Sequence, residues 1–428
     1  MEVKPGYKLT ELGVIPEDWR VSAIESLVDE VSMGPFGSDI TVSNFVSSGV
    51  PVLNGSNVAQ ERLYDSFENF VTPEKARTLK KAVARRGDVV VTHRGTIGQI
   101  SYIPEDSMFE KYVVSQSQFR VRFSRKILPS WVVSYFHSES GSKKLLEGKG
   151  HTGVPAIAQP TRTFRTLLLP VPPLPEQREI ATALSDMDAL LDGLDRLIAK
   201  RRAIKQATMQ QLLSGQTRLP GFSGEWEVRS LLEIAGYQKT LFDDGDWVEA
   251  EHITGEGIRL VQTGNIGVGK FLEKGDKKYI YESSFEKLKC KELKVGDILI
   301  CRLAEPAGRA CILPDIGEGR IITSVDVTIF RPLPGTADRN FLIQVFSTDE
   351  WFRMVLDQVG GTTHKRISRG SLGKLKVPFP CIKEQQAIAT ILTDMDAEIT
   401  ALETRRIKVR ALKQGMMQEL LTGRTRLV

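Results

Sequence analysis

Apolar residues recur at alternating steps of four and three along two stretches of the chain. In the first they are Ile180, Leu184, Met187, Leu191, Leu194 and Ile198; in the second, Ile388, Leu392, Met395, Ile399, Leu402, Val409, Met416 and Leu420. This spacing collects them on one helical face, at the period of a coiled-coil seam, and leaves Lys, Arg, Asp and Glu to the other faces. Gly and Pro are nearly absent from both interiors. Gly215 and Gly423 stand where a C-terminal cap belongs, and prolines precede each start: Pro172, Pro173 and Pro175, then Pro378 and Pro380. The pattern predicts two helices of about 38 residues, each roughly 57 Å long at 1.5 Å per residue.

The two stretches are copies. Residues 176–219 return as residues 384–427 at a constant offset of 208 without a gap, and 24 of these 44 positions are identical. A second correspondence joins LGVIPEDWRV (Leu12–Val21) to LPGFSGEWEV (Leu219–Val228), matching Leu12 with Leu219, Trp19 with Trp226 and Val21 with Val228; Leu219 also aligns with Leu427. The repeat is therefore circular, with its seam at the chain ends, and it predicts Val428 beside the first twenty residues. Chain order adds a direction. Helices paired along these seams run antiparallel, with one block of sequence at each end. Two core helices of separate domains are the plainer alternative, which the length and the charged faces disfavour.

Between the copies lie two dissimilar blocks, giving an expected division into 1–170, 171–219, 220–378 and 379–428. The blocks share two landmarks. VLNGSNV (Val52–Val58) is similar to LVQTGNI (Leu260–Ile266), and RRGDVVVTHRGTIGQISYIP (Arg85–Pro104) to KVGDILICRLAEPAGRACILP (Lys294–Pro314). In the latter pair, Gly-Asp turns into an apolar β-branched run, followed by a Gly-containing loop and a second strand. Each block reads as a mixed unit of short strands, helices and irregular loops, which makes the chain α+β.

Composition changes this picture little. A chain of 428 residues holds several folding units, and a net charge of +5 permits nucleic-acid binding without demanding it. Cys290, Cys301, Cys311 and Cys381 form no CxxC pair, so neither a disulfide framework nor a zinc knuckle is indicated, and a reducing cytoplasm fits. No apolar run approaches the ~20 residues of a membrane helix, and MEVKPGYKLTELG lacks the apolar core of a signal peptide.

Charge clustering is more telling. Lys75, Arg77, Lys80, Lys81, Arg85, Arg86 and Arg94 face one acid, Asp88, between residues 75 and 94; Lys365, Arg366, Arg369, Lys374 and Lys376 face none between residues 359 and 376. Both runs adjoin Gly/Ser/Thr-rich loops, HRGTIG and GGTTHKRISRGS, whose backbone amides can approach phosphates. A solvated face is the plainer reading of either run.

Signs of catalysis are few. GNIGVGK (Gly264–Lys270) imitates part of a P-loop, but Phe271 stands where a metal-binding Ser/Thr belongs and no helix pattern follows. No GxSxG elbow or HExxH helix appears. His93, His137, His151, His252 and His364 are scattered and read as loop or surface residues. Asp186/Asp188 and Asp394/Asp396 lie at i,i+2 in helices, where two carboxylates do not share a face.

PLPEQREIATALSDMDALL with its second copy IKEQQAIATILTDMDAEI, the tails LLSGQTRL and LLTGRTRL, and the lead-ins IPEDW and FSGEW together resemble the specificity (S) subunit of type I restriction–modification enzymes. The likeness covers essentially the whole chain. The second copy departs in a minor way: Cys381-Ile382-Lys383 replaces the Pro-Leu-Pro before Glu384-Gln385. The resemblance implies two target recognition domains, each reading half of a bipartite, asymmetric sequence in double-stranded DNA. The helices would act as a ruler and dock two modification subunits. These subunits would hold S-adenosylmethionine and methylate adenine N6, and restriction subunits would join them to cleave. This chain itself would bind no cofactor and catalyse nothing. Two alternatives stay open: a stand-alone DNA-modifying or DNA-cleaving enzyme, and a scaffold binding proteins only. Half-site centres about one helical turn apart, on the order of 34–36 Å, fit the two-fold frame. His93, Arg94 and Thr96, with Arg302 and Arg309, are expected in DNA-facing loops. Asn54, Ser56, Asn57, Gln262, Thr263 and Asn265 are candidates from the other landmark, and Lys80, Lys81, Arg85 and Arg86 from the basic run. Lys365, Arg366 and Arg369 are expected on phosphates.

Overall fold

Both apolar seams form helices. A computed structural model describes residues 4–146, 149–150, 155–303, 305–360 and 365–427, and in it the long helices span Leu174–Leu213 and Ile382–Leu420, 40 and 39 residues. Gly215 and Gly423 follow them at φ of 71° and 70°, a left-handed conformation that costs glycine little.

The contacts divide the chain into two compact units, Met1–Asp195 with Thr404–Val428, and Arg196–Glu403, so each long helix contributes one end to each unit. In the first unit Lys413 Nζ lies 2.7 Å from Asp188 Oδ1, and Arg406 lies 2.7 Å from Asp195. In the second, Arg201 lies 3.0 Å from Glu398 and Lys205 lies 2.6 Å from Asp396. One residue number falls as its partner's rises, so the helices run antiparallel within each unit. Their apolar faces are shared with the blocks. Ile180, Leu184, Met417 and Leu420 join Trp19, Trp131 and Leu169 in one core; Leu212, Leu213, Ile388 and Leu392 join Phe341, Trp351 and Val377 in another. At about 25 cal/mol per Å² of apolar surface, this burial is what fastens the helix ends to the blocks.

Each block is built on a four-stranded antiparallel sheet of one topology. In the first unit the order is Val28–Met33, Gln118–Phe123, Val89–Thr92, Ile100–Tyr102; in the second it is Phe242–Asp244, Val327–Phe330, Ile298–Cys301, Ala310–Ile312. The Gly-Asp turns set up this sheet. Asp88 accepts the Arg85 N–H at 3.0 Å and takes both arms of Arg122 at 2.8 and 2.9 Å; Asp297 accepts the Lys294 N–H at 2.9 Å and takes both arms of Arg331 at 2.8 and 2.5 Å. Both carboxylates are buried, so each turn is locked to the neighbouring strand by a bidentate charged pair. The apolar run that follows fills the sheet's centre.

A strand pair closes each block on itself. Arg20–Ala23 pairs antiparallel with Leu168–Val171, and Glu227–Ser230 with Lys376–Phe379. Beside each pair lies a charged clasp. In the first unit Glu176, buried at the helix start, accepts the Trp19 indole N–H at 2.8 Å and Arg426 at 2.5 and 2.8 Å, and Arg426 also reaches Asp18. In the second unit Glu384 accepts Trp226 at 3.1 Å and Arg218 at 2.6 and 2.7 Å. The carboxylates hold both guanidinium groups above their ordinary pKa, through hydrogen bonds first and charge second. The predicted circular closure is met here: Gly423 lies against Pro16 and Trp19, and the Tyr7 hydroxyl donates to the Gly423 carbonyl. Val428 itself, like His151 and His364, lies outside the described residues.

Two histidines depart from the surface expectation. His252 is buried and its Nδ1 pairs with Ser284 Oγ at 2.9 Å; His137, half-buried, bonds the Ile100 carbonyl at 2.8 Å. The P-loop look-alike holds a short turn at Thr263–Asn265 with no helix after it, as its sequence indicated.

Glu176→Ala leaves the Arg426 guanidinium and the Trp19 N–H without their buried acceptor. A loss of about 3 kcal/mol is expected, the lower end of the range for a broken buried pair because Arg426 reaches water, read as a lower urea midpoint. An unchanged midpoint would show that the clasp does not hold the unit together.

Candidate nucleic-acid interface

In each unit the two sequence landmarks come together at one end of the four-stranded sheet. The strand after the Gly-Asp turn ends at Thr92 or Cys301, and the loop behind it returns through Gly98 or Gly308 into the next strand. The other landmark forms a short 3-10 turn, Gly55–Val58 or Thr263–Asn265, beside that loop. A side chain at Gly55 would meet Thr96 Oγ1 at 3.0 Å. Arg309 donates to the Ile266 carbonyl at 3.0 Å and the Thr263 carbonyl at 3.3 Å.

The asparagines of these turns are fold residues. Asn57 accepts the Asn54 N–H at 2.9 Å and donates to the Tyr64 and Ser66 carbonyls at 2.9 and 2.7 Å; Asn265 accepts the Gln262 N–H at 2.9 Å and donates to the Leu272 carbonyl at 2.9 Å. Both are buried. Arg302 departs from its expected place in a DNA-facing loop. Its side chain is 4% exposed, donates to the Ile367 and Val325 carbonyls at 3.2 and 2.6 Å and lies 3.1 Å from Asp244. A planar five-donor group bridging three segments serves packing. Arg309 likewise spends its donors on carbonyls, that of Glu305 included. Asn54 and Gln262 are half-buried at the head of each turn; Asn54 accepts from Ser56 N–H at 2.9 Å. Thr263 is half-buried.

Arg94, Thr96 and Ser56 are exposed, and the Thr96 hydroxyl donates to Gln99 at 2.7 Å. His93 is half-buried against Phe119. Burial holds its pKa below the ordinary 6.5, and Arg94 pushes the same way, so near pH 7 it offers a neutral donor–acceptor ring rather than a cation. Lys80, Lys81 and Arg85 are exposed along the turn Lys80–Ala82 and the strand Val83–Arg85, and Arg86 donates to the Ser107 carbonyl at 2.7 Å. The strand Val89–Thr92 separates them from the Arg94 loop by roughly 13 Å at 3.3 Å per residue, so the basic run does not form one cluster.

A segment docks on the loop in each unit; sequence reasoning named the second-unit copy by its basic residues and missed the first. Ile157 N–H donates to the His93 carbonyl at 2.9 Å, and Ile367 N–H to the Arg302 carbonyl at 3.0 Å. The same place therefore carries Pro155–Gln159 in one unit and Lys365–Arg369 in the other. Lys365 is exposed; Arg366 lies 3.3 Å from Asp326, and Arg369 pairs with Asp243. Also missed were Gln116, exposed, and Ser117, whose carbonyl accepts the His93 N–H at 2.9 Å. Repetition of this join in both units is a signal only coordinates reveal. Among the described residues no group of three His, Cys, Asp or Glu could hold a metal ion, and no helix is long and apolar enough to cross a membrane.

A family profile described as the type I restriction modification DNA specificity domain matches twice, over residues 16–200 and 224–410. The chain belongs to the type I restriction–modification DNA specificity family. Each match begins at a lead-in and runs through one block into a long helix, so the family's unit is the repeat seen here. Among relatives, the type I restriction enzyme MjaVIII specificity subunit of Methanocaldococcus jannaschii is 23% identical over 425 residues, 96% of this chain and 94% of that protein. The putative MjaX specificity subunit of the same organism is 23% identical over 439 residues, 98% and 96%. Two solved structures share the fold. The S subunit of a type I restriction–modification system from M. genitalium has TM-score 0.59 at 14% identity, covering 98% of each chain. A chain from work on complex assembly and conformational transition of the type I R-M system has TM-score 0.56 at 18%, covering 96% and 99%.

Asn57→Ala and Arg302→Ala should each lower the thermal midpoint of their own unit, by a change worth about 1–3 kcal/mol for buried polar groups left unpaired. A wild-type melting profile from either variant would return that side chain to the list of free surface groups.

Proposed function

We propose that this chain is the DNA sequence-recognition and assembly subunit of a type I restriction–modification complex. Residues 1–170 and 220–378 form its two target recognition domains; residues 171–219 and 379–428 are the helices that set the spacing between half-sites and dock modification subunits. The observation that carries the reading is one frame built twice with different side chains at the same exposed place. Pro155–Gln159 occupies in one unit the position that Lys365–Arg369 occupies in the other. Two identical frames with unlike surfaces fit a target whose halves differ.

On this reading Arg94, Thr96 and Ser56 face one half-site, and His93 offers its neutral ring there. Lys365, Arg366 and Arg369 hold phosphates in the other. Arg366 and Arg369 must exchange an acid partner for phosphate, and at Arg366, about half exposed, the ion pair given up is worth little. Two modification subunits carry S-adenosylmethionine and the methylating chemistry, and restriction subunits join them on DNA in the cytoplasm. The chain supplies specificity and no catalysis, so purified chain with methyl donor and DNA should transfer no methyl group.

Two measurements test the reading. Replacing Lys365, Arg366 or Arg369 by Ala in the assembled complex should each flatten the dependence of log binding constant on log salt by about 0.9; Arg366→Ala with altered sequence preference and an unchanged slope would refute the phosphate assignment. Seven residues inserted after Ile198 and seven before Glu403 lengthen both helices by ~10 Å while keeping the seam in phase. At 3.4 Å per base pair the methylated motif should gain ~3 base pairs between its halves. An unaltered spacer contradicts the ruler.

A further inference from the structure

Correspondence between the units extends to one feature the recognition loops do not account for. Asp88 and Arg122 match Asp297 and Arg331 through their paired contacts, which matches Gln118 with Val327 and Ser115 with Ser324. Gly34 N–H donates to the Gln118 carbonyl and Gly245 N–H to the Val327 carbonyl, each at 2.9 Å. Both glycines pass so close to the turn before that strand that an added side chain would lie 1.9 Å from the Ser115 carbonyl oxygen or 2.3 Å from that of Ser324. Two residues beyond each stands an aromatic held out into solvent: Phe36, 80% exposed, and Trp247, 68% exposed. Scattered exposed aromatics need no explanation. The same structural position filled by a ring in two blocks that otherwise scarcely align does.

The turns on which they perch border the proposed interface. Ser117, next to Gln116, accepts the His93 N–H, and a side chain at Gly37 would meet the Gln116 amide at 3.1 Å. In the second unit Asp326 accepts the Arg302 N–H at 2.8 Å and lies 3.3 Å from Arg366. The Phe36 turn is fixed from within: its N–H donates to Asp39 Oδ2 at 3.1 Å and its carbonyl accepts the Asp39 N–H at 2.9 Å. Trp247 donates to Glu249 at 3.3 Å, while the acids nearby, Asp243 and Asp246, lie within 3.5 Å of Lys291.

We infer that Phe36 and Trp247 stack on bases of the duplex their units read, one ring per half-site. This rests on the DNA-reading function proposed above. Neighbouring bases cover each other's faces in a duplex, so a ring stacks by entering a base step, which it partly unstacks and kinks; every base presents a flat π-face there, so the contact tolerates any sequence. A sequence-tolerant contact is what two readers of different sequences can share.

The test uses the chain assembled with its modification subunits, and a duplex carrying the motif mapped by methylation sequencing beside one with that motif scrambled. Phe36→Ala and Trp247→Ala should each bind the motif duplex about 10- to 100-fold more weakly, with an unchanged salt slope because no phosphate contact is lost. Phe36→Tyr and Trp247→Phe should bind as the wild type does. Trp19, Trp131 and Trp351 are buried and Trp226 is half-buried, so Trp247→Phe should quench less on binding than the wild-type complex, the difference being the share that Trp247 contributes. Alanine variants that bind as tightly as a discriminating wild type overturn the stacking alone. Alanine variants that no longer assemble with modification subunits overturn it in favour of protein docking. A wild-type complex that does not distinguish the two duplexes removes the DNA-reading function beneath it.

Discussion

A buried carboxylate at the start of each long helix holds the architecture together. Glu176 is 2% exposed and Glu384 1%, and a charge so placed is tolerated only with a cation and donors at hand. For Glu176 these are Arg426 from the chain's last residues and Trp19 from its first; for Glu384 they are Arg218 and Trp226. The neighbouring glutamine does the complementary work. Gln177 accepts the Leu128 N–H and donates to the Pro172 carbonyl, and Gln385 does the same with Asp338 and Pro380, tying the helix to its block. Lead-in, helix start, block and the other helix's tail thus meet at two adjacent side chains. This explains why the Glu-Gln pairs, the Thr-Arg-Leu tails and the tryptophans are what the two halves keep in common.

The same economy explains what the halves do not share. Inside each block the constant parts are those that build backbone: the Gly-Asp turn with its arginine, the asparagine that folds the 3-10 turn, and the strand pair that closes the block. Asp88, Asp297, Asn57 and Asn265 among these are buried. What projects differs: Arg94 and Thr96 in one unit, Lys365 and Arg366 in the other. A frame that satisfies its own buried polar groups leaves its loop tips free to change, because substitution there strands no donor or acceptor.

Much of the fold was legible because it rests on period and repetition. The four–three spacing together with the flanking prolines and glycines located both helices to within a few residues at each end, and the alignment of Leu219 with both Leu12 and Leu427 foretold the meeting of Arg426 with Asp18. The candidate interface was less legible. Residue type alone cannot separate an arginine that faces solvent from one that braces three segments, and Arg302 and Arg309 proved to be braces. Asn57 and Asn265 were found for the right reason, a shared motif, but the motif encodes a turn. Pro155–Gln159 and Gln116 carried no pattern at all; they reach the loop through backbone pairing, which sequence spacing does not report. Phe36 and Trp247 escaped because GPF and GDW align only once the strands behind them are superposed.

If each block reads its half-site independently of the other, block exchange followed by methylation mapping will show it. Residues 24–167 would be replaced by the corresponding block of a related specificity chain with a different target, leaving Trp19, the closing strands and both helices intact, and DNA methylated by the assembled complex would be sequenced. Independent readers give a motif in which one half changes to the donor's, while the other half and the spacer stay as they were. A motif that changes in both halves, or in neither, would contradict independent reading.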